Sequence, residues 1–205
     1  MKSLVDTAFY FIAGHGRGWA FSSSDLLEKF SRSQADNLLS ELVKQGKIRR
    51  VTRGIYDYHK YSELLQQTLS PDIDQVARAF ARKFNWRIEV SGDSALNMLG
   101  LSTQVVAKYV YLSDGPNRSY NIMGTTLEFK KSSLKNIGFK YKESSLIVQA
   151  LKTLGQENIT KSTIQKIRKQ INEKMCEKIL KDTRTATSWI YETIKEICTK
   201  EAHDG

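Results

Sequence analysis

Ser31-Arg32-Ser33-Gln34-Ala35-Asp36-Asn37-Leu38-Leu39-Ser40-Glu41-Leu42-Val43-Lys44-Gln45-Gly46, continued by Lys47-Ile48-Arg49-Arg50-Val51-Thr52-Arg53-Gly54-Ile55-Tyr56-Asp57-Tyr58, sets two periodicities back to back. In the first segment Ala35, Leu38, Leu39, Leu42 and Val43 recur at helical spacing and line one face. Ser33, Asn37, Ser40 and Lys44 fall on the opposite face. Ser31 or Ser33 can cap the start, and Gly46 suits the position just past the end. In the second segment two short runs rich in β-branched and aromatic residues flank Arg53-Gly54, which reads as a tight hairpin. A helix with a polar outer face, followed at once by an arginine-studded hairpin, reads as the recognition helix and wing of a winged helix-turn-helix.

The residues before this stretch agree. Leu4, Ala8, Phe9, Phe11 and Ile12 predict an amphipathic helix that stops at Gly14-His15-Gly16. Trp19-Ala20-Phe21 reads as a short strand. Ser22-Ser23-Ser24-Asp25 offers a hydroxyl cap with an acid three residues on, predicting a second helix that buries Leu26, Leu27 and Phe30. Helix, strand, helix, helix, strand, strand is the order of a winged helix domain.

Downstream, Ser70-Pro71 is the strongest local break, and Tyr61 to Leu69 reads as a helical connector. The expected organisation is a DNA-binding domain over residues 1–60, a connector over 61–71, and a mixed α/β domain over 72–205 that ends in helices. The fold class is α+β. In the second domain, Asp72 to Phe84 predicts a helix with Ile73, Val76, Ala77, Phe80, Ala81 and Phe84 on its apolar side. Trp86 to Val90 alternates as a strand, and Asp93 caps a short helix through Leu99. Strands follow at Lys108–Leu112, Ser119–Ile122 and Thr125–Phe129, with a further one at Phe139–Tyr141. From Ser144 the chain reads helical. One long apolar stripe runs through Ile164, Ile167, Ile171, Met175, Ile179 and Leu180, and a last helix carries Trp189, Ile190, Ile194 and Ile197.

The formal net charge is +10 over 205 residues. Residues 1–60 carry 10 Lys and Arg against 6 Asp and Glu, residues 61–130 carry 7 against 7, and residues 131–205 carry 15 against 9. Both ends are basic and the middle is neutral, which favours a polyanionic partner, chiefly nucleic acid. Lys161, Lys166, Arg168, Lys169, Lys174, Lys178 and Lys181 interleave with the C-terminal apolar stripe. They form either a basic face that meets nucleic acid or an acidic partner, or an ordinary solvated surface. No apolar run approaches the ~20 residues of a membrane-spanning helix, and no cleavable signal is read at the N-terminus. Cys176 and Cys198 stand far apart, which suits a reduced, cytoplasmic chain.

The candidate DNA contacts are Arg32, Ser33, Gln34 and Asn37 in the first turns of the recognition helix, where base edges are met in the major groove. Lys44 on the same helix joins them, with Arg49, Arg50 and Arg53 of the wing placed to meet phosphates or the minor groove. Strand alternation puts Arg50 and Thr52 on one face and Arg49 and Arg53 on the other with Val51, so one arginine is expected to snorkel over the small core. His15, His59 and His203 are scattered, and no Cys, Asp or Glu joins them at ligand spacing. No metal, cofactor or catalytic residue is expected. Asp72 and Asp74 read as a helix cap rather than an acid pair. A nucleic-acid-acting enzyme with a winged-helix targeting module and a protein-interaction module are the alternative classes.

Two segments carry a family resemblance: Arg49-Arg50-Val51-Thr52-Arg53-Gly54-Ile55-Tyr56, and Ser91-Gly92-Asp93-Ser94-Ala95-Leu96-Asn97-Met98-Leu99-Gly100-Leu101 followed by Leu112-Ser113-Asp114-Gly115. Together they resemble the AbiEi-type antitoxins of bacterial toxin–antitoxin operons, including a short branch without assigned function. The resemblance covers nearly the whole chain. It implies an N-terminal winged helix joined to a C-terminal α/β antitoxin domain. It also implies a protein that represses its own operon by binding the operator, and that neutralises a nucleotidyltransferase-like toxin encoded nearby.

Overall fold

Ser3 accepts a hydrogen bond from the backbone N–H of Asp6 and so opens α1, Leu4–Gly14, which buries Ala8 and Ile12. In this computed structural model, which describes residues 3–102, 108–132 and 139–199, the chain next forms β1, Ala20–Phe21. Ser22 and Asp25 build the expected capping box, with the Ser22 N–H donating to the Asp25 carboxylate at 2.8 Å. The helix expected behind it is a single 3-10 turn, Ser23–Leu26. Leu26 and Phe30 are buried as expected, but Leu27 is 42% exposed.

Helix α2, Arg32–Lys44, begins at Ser31. The Gln34 N–H donates to the Ser31 hydroxyl and the Ser31 N–H donates to Gln34 Oε1 at 3.0 Å, a reciprocal cap worth about 1 kcal/mol. Ala35, Leu38, Leu39 and Leu42 are buried, and the chain leaves the helix through Gly46 at φ +67°. Strands β2, Arg49–Thr52, and β3, Ile55–Asp57, then pair antiparallel, with Arg49 opposite Asp57, Arg50 opposite Tyr56 and Thr52 opposite Ile55. Val51 is the extra residue of a bulge between these pairs. Gly54 turns the hairpin at φ +74°, which a side chain would resist. β1 pairs with the other edge of β3, giving the order β1-β3-β2. Beneath the helices Ala8, Ile12, Phe21, Leu26, Phe30, Ala35, Leu38, Leu39, Leu42 and Ile48 form one core.

Residues 61–69 differ from expectation. They form a second small hairpin, β4 Tyr61–Ser62 and β5 Gln67–Thr68, instead of a helical connector. Leu64 and Leu65 are 92% and 56% exposed, so no apolar face is there to be buried. Helix α3, Ile73–Phe84, is capped by Asp72 and closed by Asn85 in the left-handed conformation. It buries Val76, Ala77, Ala79, Phe80 and Ala81 and packs on β1, β3 and the 3-10 turn. Arg82 fastens it there, donating to Asp25 at 2.6 Å and to the Ala20 carbonyl at 2.7 Å. The first compact unit therefore comprises Met1–Ile88 with Arg118–Glu128, and α3 belongs to it rather than to a domain starting at 72.

The second unit comprises Glu89–Asn117 and Phe129–Gly205. Of the strands that follow α3, β6 Ile88–Val90 from residue 89 and β7 Lys108–Ser113 lie in this unit, whereas β8 Arg118–Ile122 and β9 Thr125–Lys131 as far as Glu128 belong to the first. Helix α4, Gly92–Met98, starts after Ser91, two residues before the expected cap at Asp93. It packs against α5, Lys142–Leu154, where Gly92 faces Thr153 so closely that a β-carbon would not fit. The buried Glu89 carboxylate accepts the hydroxyl of Ser145. No strand forms at 139–141; Tyr141 is the residue that opens α5. The expected long helical stripe is broken into α6, Lys161–Gln170, and α7, Cys176–Asp182, because Asn172 turns its side chain back to cap the N–H of Lys174 between them. Helix α8, Ser188–Cys198, closes the described chain. The protein is thus of mixed α+β class. Among the described residues no helix is long and apolar enough to cross a membrane.

Asp182 ties the helical part together. Its carboxylate accepts the N–H groups of Lys140 and Tyr141, each at 3.0 Å, and so satisfies backbone donors at the entry to α5. Burial opposes its ionisation, yet the two backbone donors hold the carboxyl below its ordinary range. A carboxyl depressed in the folded state contributes stability that is present above its unfolded pKa and is lost as pH falls through the folded value. The Asp182→Asn variant is therefore expected to be less stable than the parent at pH 7 and equally stable in strong acid, in urea melts across pH 2–7.

Candidate nucleic-acid interface

The polar face of α2 emerges as the capping box and the leucine stripe dictate. With Ala35, Leu38, Leu39 and Leu42 turned inward, Arg32, Ser33, Gln34, Asp36, Asn37, Ser40 and Lys44 are exposed. Arg32, Ser33, Gln34 and Asn37 gather in the first two turns, whereas Lys44 lies roughly 18 Å further along the axis. Gln34 has part of its amide committed, since Oε1 holds the Ser31 N–H.

The hairpin arginines separate into two kinds. Arg49 faces Asp57 across the ladder, donating from Nε at 3.0 Å and Nη2 at 2.5 Å, and also reaches the Leu69 carbonyl at 3.1 Å. The Asp57 side chain is only 2% exposed. Arg49 is thus spent inside the fold. Arg50 and Arg53 are exposed. Among the described residues Arg32, Lys44, Arg50 and Arg53 pair with no carboxylate, in contrast to Arg49, Arg78 and Arg82.

Helix α3 adds two features that the sequence pattern did not mark. Lys83, in its last turn, donates to the Gly54 carbonyl at the hairpin turn, at 3.4 Å. Burial first, then the positive charges of Arg32 and Arg53, hold its ammonium below the ordinary lysine pKa, and the Asp36 carboxylate opposes them. Arg32, Asp36, Arg53 and Lys83 therefore share one neighbourhood, drawn from α2, the hairpin turn and α3. Asp36 was legible as the residue one turn beyond Arg32. Lys83 was not, because the apolar side of α3 says that it packs but not against what.

In the second unit the C-terminal lysines stand out from α6, α7 and the 3-10 turn Glu173–Met175 between them: Lys161, Lys166, Lys169, Lys174, Lys178 and Lys181 are exposed. Arg168 turns inward and donates to the carbonyls of Glu196 and Ile197 at the end of α8, at 2.8 and 3.0 Å, as a cation at a helix C-terminus should. Cys176 and Cys198 are free thiols, with Cys198 Sγ 4.0 Å from the Cys176 carbonyl. Among the described residues no three His, Cys, Asp or Glu side chains cluster so as to hold a metal ion.

No curated protein matches the chain. Among solved structures it is similar to the crystal structure of the RV2827C protein from Mycobacterium tuberculosis, at 10% sequence identity and a TM-score of 0.41, over 97% of this chain and 77% of that one. A family model matches residues 10–179, well over half of the sequence, and by that match the chain belongs to DUF6088, a family of unknown function.

Proposed function

We propose that the protein binds double-stranded DNA in a sequence-specific way, with α2 as the recognition helix and the β2–β3 hairpin as the wing of a winged helix-turn-helix. The observation that carries this reading is the pairing of an exposed polar helix face with hairpin cations that no carboxylate neutralises. Cations left unpaired on one face are what a phosphate backbone requires, since each neutralised phosphate releases condensed counterions. Ser33 and Asn37 offer the donors and acceptors that read base edges in the major groove, and Arg32 reaches guanine or phosphate. Arg49 serves this interface only by holding β2 and β3 in register.

The biological role that accompanies this reading is that of an antitoxin and autorepressor of a bacterial toxin–antitoxin operon, acting in the cytoplasm, with a nucleotidyltransferase-like toxin as partner and no catalytic activity of its own. This limb rests on the resemblance carried by residues 49–56, 91–101 and 112–115. A gel-shift with the region upstream of its own gene, against a scrambled duplex at ~0.15 M salt, tests the operator claim. The expected result is binding to the upstream duplex at least 10³-fold tighter than to the scrambled one, the lower bound for specific readers. Equal affinity for both would reject it.

A further inference from the structure

The charges around the hairpin turn come from three elements, one of which lies outside the helix–hairpin segment. We infer that Lys83 of α3, together with Arg32 of α2 and Arg53 of the hairpin turn, forms a cradle for one backbone phosphate of duplex DNA. The inference rests on the DNA-binding reading above and adds to it a contact from a helix that is no part of the winged helix.

Lys83 is held where it is by the docking of α3. Val76, Ala77 and Phe80 are buried, and the neighbouring Arg82 is clamped to Asp25 and to the Ala20 carbonyl, so the last turn of α3 cannot swing freely. From that anchor Lys83 reaches the Gly54 carbonyl. Gly54 has no side chain, and a β-carbon there would strike the Lys83 amino group. The position thus combines a turn that needs positive φ with a clear approach for a cation from another element.

Bringing three cations near one another with a single carboxylate, Asp36, to oppose them leaves an excess of positive charge in the free protein. Two other carboxylates of this unit are engaged elsewhere: Asp25 holds Arg82 and Asp57 holds Arg49. Asp36 acts on Lys83 through space but makes no ion pair with it among the described residues. A strut that merely supported the hairpin turn would need one donor, which any neutral group could supply, and would not explain Arg32 and Arg53 beside it. A phosphodiester monoanion, whose two non-bridging oxygens accept several hydrogen bonds, suits a lysine held at the turn beside Arg53 and within the field of Arg32.

The test uses the full chain and a fluorescently labelled duplex from its own upstream region, with affinity measured by anisotropy over a series of KCl concentrations. Lys83→Met, Lys83→Arg, Arg50→Ala and, as a control in the second unit, Lys152→Met are compared, and urea melts confirm that each is folded. Expected is a log–log salt slope shallower by about 0.9 for Lys83→Met, the value of one lost phosphate contact, with the slope restored in Lys83→Arg and unchanged in Lys152→Met. An unchanged slope in Lys83→Met, while Arg50→Ala flattens it, would overturn the cradle and leave DNA binding intact. Equal flattening in Lys83→Met and Lys83→Arg would also overturn it, since packing rather than charge would then be at issue. Failure of the parent protein to bind any duplex at low salt would reject the DNA reading itself, and the cradle with it.

Discussion

Replacing Arg49 by alanine is expected to destabilise the protein by about 3–5 kcal/mol, the usual consequence of stranding one member of a buried ion pair. Asp57 is 2% exposed and lies at the centre of the three-stranded sheet, opposite both Arg49 and Ala20. Without the guanidinium its carboxylate would be left in an apolar setting with two of its acceptor positions empty. The Leu69 carbonyl, which Arg49 also satisfies, would lose its donor. At a urea m-value near 3 kcal/mol/M the midpoint would fall by roughly 1 M or more. The double variant Arg49→Met with Asp57→Leu should recover most of the loss, because apolar replacement of both partners is often close to neutral. Exposed Arg50, one residue on, provides the contrast: its removal should change stability by no more than about 0.5 kcal/mol. If Arg49→Ala were as stable as the parent and instead impaired DNA binding, Arg49 would belong to the interface and the division of the hairpin arginines drawn here would be wrong.

That division shows where sequence reading reaches its limit. Strand alternation placed Arg49 and Arg50 on opposite faces and predicted that one arginine would lie over the core; it could not say that Asp57 waits eight residues on, because that pairing depends on the hairpin register and its bulge at Val51. The α2 helix was legible to within a residue, since its leucine stripe, the Ser31–Gln34 cap and Gly46 are all local signals that agree. Elements whose signals are local but ambiguous were misread. Tyr61 to Leu69 was read as a helix, yet Leu64 and Leu65 sit exposed in a hairpin tip, and behind Ser22 the chain makes one 3-10 turn although Leu26 and Phe30 are both buried. The stripe from Ile164 to Leu180 keeps helical spacing across a break, because spacing does not register that Asn172 caps the next turn instead of continuing the last. What belongs with what was the least visible. Of the apolar positions expected on α3, Val76, Ala77, Phe80 and Ala81 are buried while Phe84 is 43% exposed, and that the buried ones dock on β1, β3 and the 3-10 turn, carrying Lys83 to the hairpin, follows only from the three-dimensional packing.

Asn37→Ala and the Arg50→Ala/Arg53→Ala double variant are expected to damage DNA binding in different ways. Asn37 is exposed on the polar face of α2 and its side chain makes no hydrogen bond to any described residue, so its amide is available to bridge the edge of an adenine. Its loss should cost ~1–3 kcal/mol on the preferred duplex and little on a scrambled one, narrowing the ratio between them. Gln34 is a poorer probe of the same effect, because truncating it also removes the acceptor that caps α2. The two arginines face phosphates, which every sequence presents. Their removal should weaken preferred and scrambled duplexes alike and flatten the log–log salt slope by about 1.8, at ~0.9 for each phosphate contact. Both variants should keep the unfolding midpoint of the parent, since none of the three side chains is buried or paired. The comparison separates reading from anchoring in one set of titrations. A salt slope unchanged in the arginine variant would remove the hairpin from the interface, and a specificity ratio unchanged in Asn37→Ala would mean that the exposed face of α2 does not read bases.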